Sequence, residues 1–147
     1  MKILAILQNQ WFRNPEKVKE IYARNPELRN QLIKRFLFMG CLSGQRLQQA
    51  FGDLCDTIIW EEASSEIGGY SASKFTPDPE HVKRAIETHK PDVVLCFGEI
   101  AGDAVRSLCC DLDVKHPAVM FAPHPASRSD PMPALRELAA TLNRAQA

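Results

Sequence analysis

Four apolar runs in this chain end in residues that can do chemistry. Lys2 to Leu7 (KILAIL) leads into Gln8, Asn9, Gln10, Trp11 and Phe12, and Thr57 to Trp60 (TIIW) into Glu61 and Glu62. Asp92 to Phe97 (DVVLCF) leads into Gly98 and Glu99, and Ala118 to Ala122 (AVMFA) into Pro123, His124, Pro125, Ala126, Ser127, Arg128 and Ser129. Amides, rings, carboxylates, one imidazole and a serine-rich turn suit a planar, hydrogen-bonding ligand on a phosphate backbone. Asn9 can orient a water or hold a carbonyl; Trp11, Phe12 or Phe38 can stack on a ring; His124 can donate to an oxygen that gains negative charge. The turn at Ser127 to Ser129 offers backbone N–H groups to a phosphate, and the SGQR stretch at Ser43 to Arg46 can open a helix at an anion. Each group has a plainer reading as well: a structural histidine, rim packing by Trp11 and Phe12, and a solvated strand end at Glu61 and Glu62.

The apolar runs must position these groups. Their continuous hydrophobicity is that of strands covered on both faces, with TIIW the weakest of the four. Helical stripes lie between them. Leu28, Leu32, Ile33 and Phe36 make one stripe, and Leu47 and Phe51 a shorter one. Val82, Ile86 and His89 follow a helix start at Asp78-Pro79-Glu80, where Asp78 can cap and Pro79 fits the first turn; Met132, Leu135, Leu138, Ala139 and Leu142 make the last stripe. Strands alternating with helices predict a single α/β domain over residues 1–147, a three-layer α/β/α sandwich around a central, mainly parallel four-stranded sheet. In such a sheet ligands bind at the carboxyl ends of the strands, where the residues above fall. The serine- and glycine-rich segment Glu62 to Pro77 is expected to be a long surface loop.

Composition sets the outer bounds. The chain has 147 residues, 18 Lys and Arg against 18 Asp and Glu, and is 45% hydrophobic. That is enough to bury about two-thirds of the unfolded surface around one core, so disorder is not expected. Zero net charge argues against indiscriminate coating of nucleic acid or membrane. The charge is unevenly spread, however. Residues 1–52 carry nine bases against three acids, and residues 53–70 carry five acids and no base. A local basic surface beside an acidic stretch remains available to DNA. No apolar run approaches the roughly 20 residues of a membrane span, and the start lacks a signal-peptide core, so a cytoplasmic protein is expected. Cys41, Cys55, Cys96, Cys109 and Cys110 contain no C-x-x-C pair and read as reduced thiols, with no metal and no cofactor implied. The dinucleotide G-x-G-x-x-G, the P-loop and the G-x-S-x-G elbow are all absent from the sequence.

Taken in order, the motifs resemble those of the uracil-DNA glycosylase superfamily. ILQNQWF is similar to the family's first motif, with Asn9 where the water-positioning residue stands. RFLFMGCLSGQRLQQAFG resembles the phenylalanine-glycine-glycine stretch of one branch, with Phe38 as the ring that stacks on the base and Gly40 and Gly44 as its glycines. The stretch from Phe75 to Val105 places Gly98 and Ala101 in the family's glycine-alanine turn, and FAPHPASRSDP resembles its histidine-proline-serine motif, with His124 against the base oxygen and Arg128 as the duplex wedge. The resemblance runs from Lys2 to about Arg128 without the spacing of iron–sulfur cysteines.

It implies base flipping followed by hydrolysis of the N-glycosidic bond. Asn9 and His124 would be catalytic. Gln8, Trp11, Phe12, Phe38 and Glu61 would hold the base, and Ser43, Gly44, Ser127, Arg128 and Ser129 the phosphates. Glu61 or Glu62 stands near the place of the asparagine that reads uracil. An ionised carboxylate only accepts, so an exocyclic amine is expected in the ligand there. Two other outcomes are open: a catalytically inactive member that binds nucleic acid, nucleotide or protein, and a hydrolase of free nucleosides or nucleotides.

Overall fold

The computed structural model describes residues 1–8, 10–12, 14–68, 76–108 and 117–147, and of residues 10 and 11 the backbone alone. The four apolar runs form one parallel sheet: β1 (Ile3–Leu7), β3 (Ile58–Glu62), β5 (Val93–Phe97) and β6 (Ala118–Ala122), in the order β3-β1-β5-β6. β1 and β5 are buried along their whole length, which explains their unbroken hydrophobicity. Chain order departs from β1 first to β3 on one side and then to β5 on the other. That reversal between β1 and β5 opens a crevice beyond the strand ends.

Side-chain alternation sends Ile3, Ala5, Leu7, Ile58, Trp60, Leu95 and Phe97 to one face. Packed on that face are α1 (Pro15–Arg24), α2 (Arg29–Leu37), α3 (Leu42–Phe51), the short α4 (Leu54–Thr57) and α7 (Met132–Gln146). Leu4, Ile6, Val94 and Cys96 go to the other face, under α5 (Pro79–His89) and α6 (Glu99–Arg106). The fold is thus α/β, with helices on both faces of the sheet.

The helix starts follow the local sequence. Asp78 accepts the His81 N–H with Pro79 in the first turn, and Asn14 does the same for Lys17 ahead of Pro15. The stripe of α7 is buried as expected from Met132 to Leu142. The earlier stripe divides. Pro26–Leu28 is a separate 3-10 turn with Leu28 exposed, and α2 begins at Arg29 with Ile33 fully buried.

The expected loop from Glu62 to Pro77 is shorter at its start. Glu62 belongs to β3, and the Ala63 and Ser64 N–H groups continue the ladder to the carbonyls of Leu7 and Gln8. Ile67–Gly68 then forms β4, paired in parallel with β2 (Gln10–Trp11). Residues 69–75 of that segment lie outside the described residues. No helix among the described residues is long and apolar enough to cross a membrane.

Candidate functional site

A cleft of about 830 Å³ lies beyond the carboxyl ends of all four sheet strands. β1 supplies Leu7 and Gln8, β3 supplies Glu62, Gly98 and Glu99 follow β5, and Pro123, His124, Ala126 and Ser127 follow β6. The opposite wall comes from Phe36 and Leu37 at the end of α2 and from Cys41, Leu42 and Ser43 at the start of α3. Phe12 completes it, set edge-on to Phe36 at 5.0 Å between ring centres. Its backbone is fixed by an N–H donated to the Gly68 carbonyl at 2.8 Å.

His124 is held from three sides. Its Nδ1 accepts the Ala126 N–H at 3.0 Å, and its own carbonyl accepts the Ser127 N–H at 2.9 Å. Arg46, from α3, donates to the carbonyls of Pro125 and Ser127 at 2.8 and 3.0 Å, pinning the turn from the other wall of the cleft. Gly98 lies under the ring. It has φ +92°, and a Cβ built there would come 3.1 Å from the His124 Cβ. Only glycine meets both the backbone angle and the close approach. Burial lowers the His124 pKa. With Nδ1 occupied as an acceptor, the neutral ring must carry its proton on Nε2, which becomes a donor available to the cleft.

The carboxylates at the end of β3 part company. Read as a solvated strand end, Glu61 and Glu62 are instead 3% and 5% exposed, and alternation turns them to opposite sides of the strand. Glu61, the one expected beside the ligand, does not line the cleft. Arg29 Nη2 donates to its Oε1 at 2.8 Å, Asn30 Nδ2 to its Oε2 at 3.1 Å, and the Glu62 N–H to Oε1 at 2.9 Å. His81 Nε2 lies 3.1 Å from Oε1 and, against an ionised carboxylate, must be the donor. Burial works to raise the Glu61 pKa, but the hydrogen bonds from His81 and Arg29 and the Arg29 charge outweigh it and bring it down to about 2.

Glu62 is the opposite case. Its Oε2 is buried with no hydrogen-bond partner among the described residues, and its side chain lines the cleft. Burial first, and then the neighbouring Glu61 charge, push its pKa up to about 8 against a weaker pull from Arg29. At neutral pH the cleft therefore holds a protonated carboxyl group with unused hydrogen-bonding capacity. Buried polar groups without partners are rare enough to mark a site. Of the two carboxylates it is Glu62 that faces the cleft, and burial beside the Glu61 charge favours its neutral form, which can donate as well as accept.

The other expected residues divide. Gln8, Phe12, Ser43, Ser127 and His124 come together in the cleft. Phe38 stands apart. Two residues beyond Phe36, it has turned about 200° round the helix axis, and it sits edge-on to Trp60 at 5.5 Å beside a separate depression. Gly44 is a packing residue: a Cβ there would collide with the Leu37 carbonyl oxygen, so the glycine lets α2 and α3 meet. Arg128 and Ser129 are exposed and do not line the cleft. Asn9 and the Trp11 side chain lie outside the described residues; the Trp11 backbone pairs with Gly68.

Sequence reasoning left Glu61 and Glu62 as alternatives and gave Glu99 no role beyond its place after a strand; Phe36, read as part of a helical stripe, was missed as a cleft residue. Carrying the strand's alternation two residues past Trp60 puts Glu62 on the face of Ile58 and Trp60, which separates it from Glu61. No family model, curated protein or solved structure matches this chain.

Proposed function

We propose that the cleft binds a nucleobase-bearing ligand and that the protein is a DNA glycosylase of the uracil-DNA glycosylase kind, hydrolysing the N-glycosidic bond of a flipped nucleotide. The observation that carries the reading is the fixed tautomer of His124. A neutral imidazole with Nδ1 tied to the Ala126 N–H presents Nε2–H as a donor to an oxygen of the departing base. Phe12 and Phe36 supply the aromatic wall for the base, taking the part that the resemblance gives to Phe38.

In the proposed reaction, water oxygen bonds to the sugar C1′ as the C1′–N bond breaks. The electron pair of that bond passes into the base, whose oxygen is held by His124, and the base is then protonated from solvent. Asn9 is the proposed holder of the water. Glu99, which lines the cleft at the start of α6, is the proposed acceptor of its proton. The basic surface of residues 1–52 is the proposed track for the DNA backbone.

The test is incubation with oligonucleotides carrying uracil, hypoxanthine or xanthine, and in parallel with uridine, inosine and xanthosine, followed by alkaline cleavage and detection of free base. Abasic product from an oligonucleotide supports the reading. Base release from the nucleosides alone would assign the site to free nucleosides, and binding with no product would assign it to a non-catalytic member.

A further inference from the structure

The cleft holds one buried polar atom that no described residue satisfies. Glu62 Oε2 is buried, and Glu62 as a whole is 5% exposed. Among the described residues, the titratable or charged groups around it are Glu61 on its own strand, Arg29 at the start of α2, Cys41 at the α3 cap, Glu99 at the start of α6 and His124 after β6; His81 of α5 reaches it through Glu61. Arg29 and His81 are already directed at Glu61. β1 contributes no charge beside it, since its register partner is Leu7. The wall facing it carries Phe36, Leu37 and Leu42.

A second negative charge here would sit next to ionised Glu61 in an apolar wall, so the side chain keeps its proton. A neutral carboxyl group has one donor and one acceptor on adjacent oxygens. That pair is complementary to a cis-amide, in which a C=O and an N–H stand side by side. A bare anion or a purely apolar ring would leave one or both oxygens unmet, at the cost of a buried unsatisfied group.

We infer that Glu62 is the specificity-determining residue of the cleft, its O–H donating to a ring carbonyl and its C=O accepting the adjacent ring N–H, so that the ligand class is a heterocycle with a lactam edge. This rests on the nucleobase reading of the cleft and narrows it to oxo-bases. It also explains how a carboxylic acid can serve in a position where an ionised one would repel a carbonyl. A cationic ligand is the rival chemistry, since it would pair with Glu62 in its ionised form.

The experiment measures binding of uracil, 3-methyluracil and benzamidine to the full chain and to Glu62→Gln and Glu62→Leu by titration calorimetry from pH 6 to 9. Gln repeats the donor and acceptor of the neutral acid without its ionisation; Leu removes both. Uracil should bind the wild type and the Gln variant alike at pH 6. Leu should lose about ten- to a hundredfold, as should blocking the N–H in 3-methyluracil. Between pH 7 and 9 the wild type should weaken about tenfold more than Gln, whose remaining fall belongs to the base itself. Equal losses in Gln and Leu, or affinity for benzamidine that rises with pH and exceeds that for uracil, would overturn the inference. Because free bases are the probes, these outcomes stand apart from glycosidic cleavage. Cleavage with no Glu62 dependence sinks this inference alone, and lactam binding without cleavage sinks only the hydrolase reading.

Discussion

Replacing Glu62 by Gln should remove most of the pH dependence of stability between pH 5 and 8. In the unfolded chain a glutamate ionises near 4.5, whereas in the fold burial and the Glu61 charge hold the Glu62 proton to about 8. Between those values the folded state binds more protons than the unfolded one, so stability falls as pH rises. The contribution is fully present below about pH 4.5 and is lost by about pH 8. Each pH unit inside that window is worth about 1.4 kcal/mol, which gives about 2 kcal/mol between pH 5.5 and 7 and about 5 kcal/mol across the whole window as an upper bound. Gln keeps the shape and cannot ionise. Urea unfolding followed by circular dichroism should show the wild-type midpoint dropping by about 1 M from pH 5.5 to 7, with the Gln midpoint nearly constant. Parallel pH profiles for the two proteins would show that Glu62 titrates normally and would refute the placement of its side chain.

The other expectations concern the frame around His124 and the ion pair behind it. Gly98→Ala forces a left-handed φ onto a residue with a Cβ and drives it into His124; turnover should fall at least about tenfold with a stability loss of about 1–3 kcal/mol, checked by single-turnover kinetics beside thermal melting. Arg46→Ala removes two charged hydrogen bonds to the Pro125 and Ser127 carbonyls, so the turn should loosen, with turnover falling more than ligand binding and faster amide exchange at Ala126 and Ser127 as the readout. Glu61→Gln should destabilise at neutral pH by leaving Arg29 without its charge partner. It should also abolish the stability that the wild type, through this group, holds above pH 4.5 and loses as pH falls towards 2, measured by acid unfolding. Because burial lowers the His124 pKa, the acid limb of the pH–rate profile should fall below the ordinary histidine value of 6.5; a limb at or above it would mean that the imidazole is not desolvated.

What could be read in the sequence was what local chemistry decides. Asp78 and Pro79 set the start of α5 by capping rules that need no tertiary context, and β1 and β5 announce themselves by five apolar residues in a row. The gathering of Gln8, Phe12, Ser127 and His124 followed from a rule about strand ends, and Ser43 from its place at a helix start. The rest depends on partners distant in the chain. Glu61 and Glu62 read as solvated because nothing nearby in sequence neutralises them; Arg29 and His81 arrive from 32 and 20 residues away. Ile67–Gly68 becomes a strand only because Gln10–Trp11 lies beside it. Phe36 and Phe38 are equally aromatic, and helix rotation alone decides which one meets the cleft.

The most direct measurement is single-turnover release of base from uracil-, hypoxanthine- and xanthine-bearing oligonucleotides by the wild type and by His124→Ala, with binding of the same oligonucleotides measured alongside. Abasic product is expected from the wild type, with a loss of about a hundredfold or more in His124→Ala and affinity changed by less than about threefold. No abasic product from any of the three with the wild type, or undiminished product from His124→Ala, would contradict the glycosylase reading.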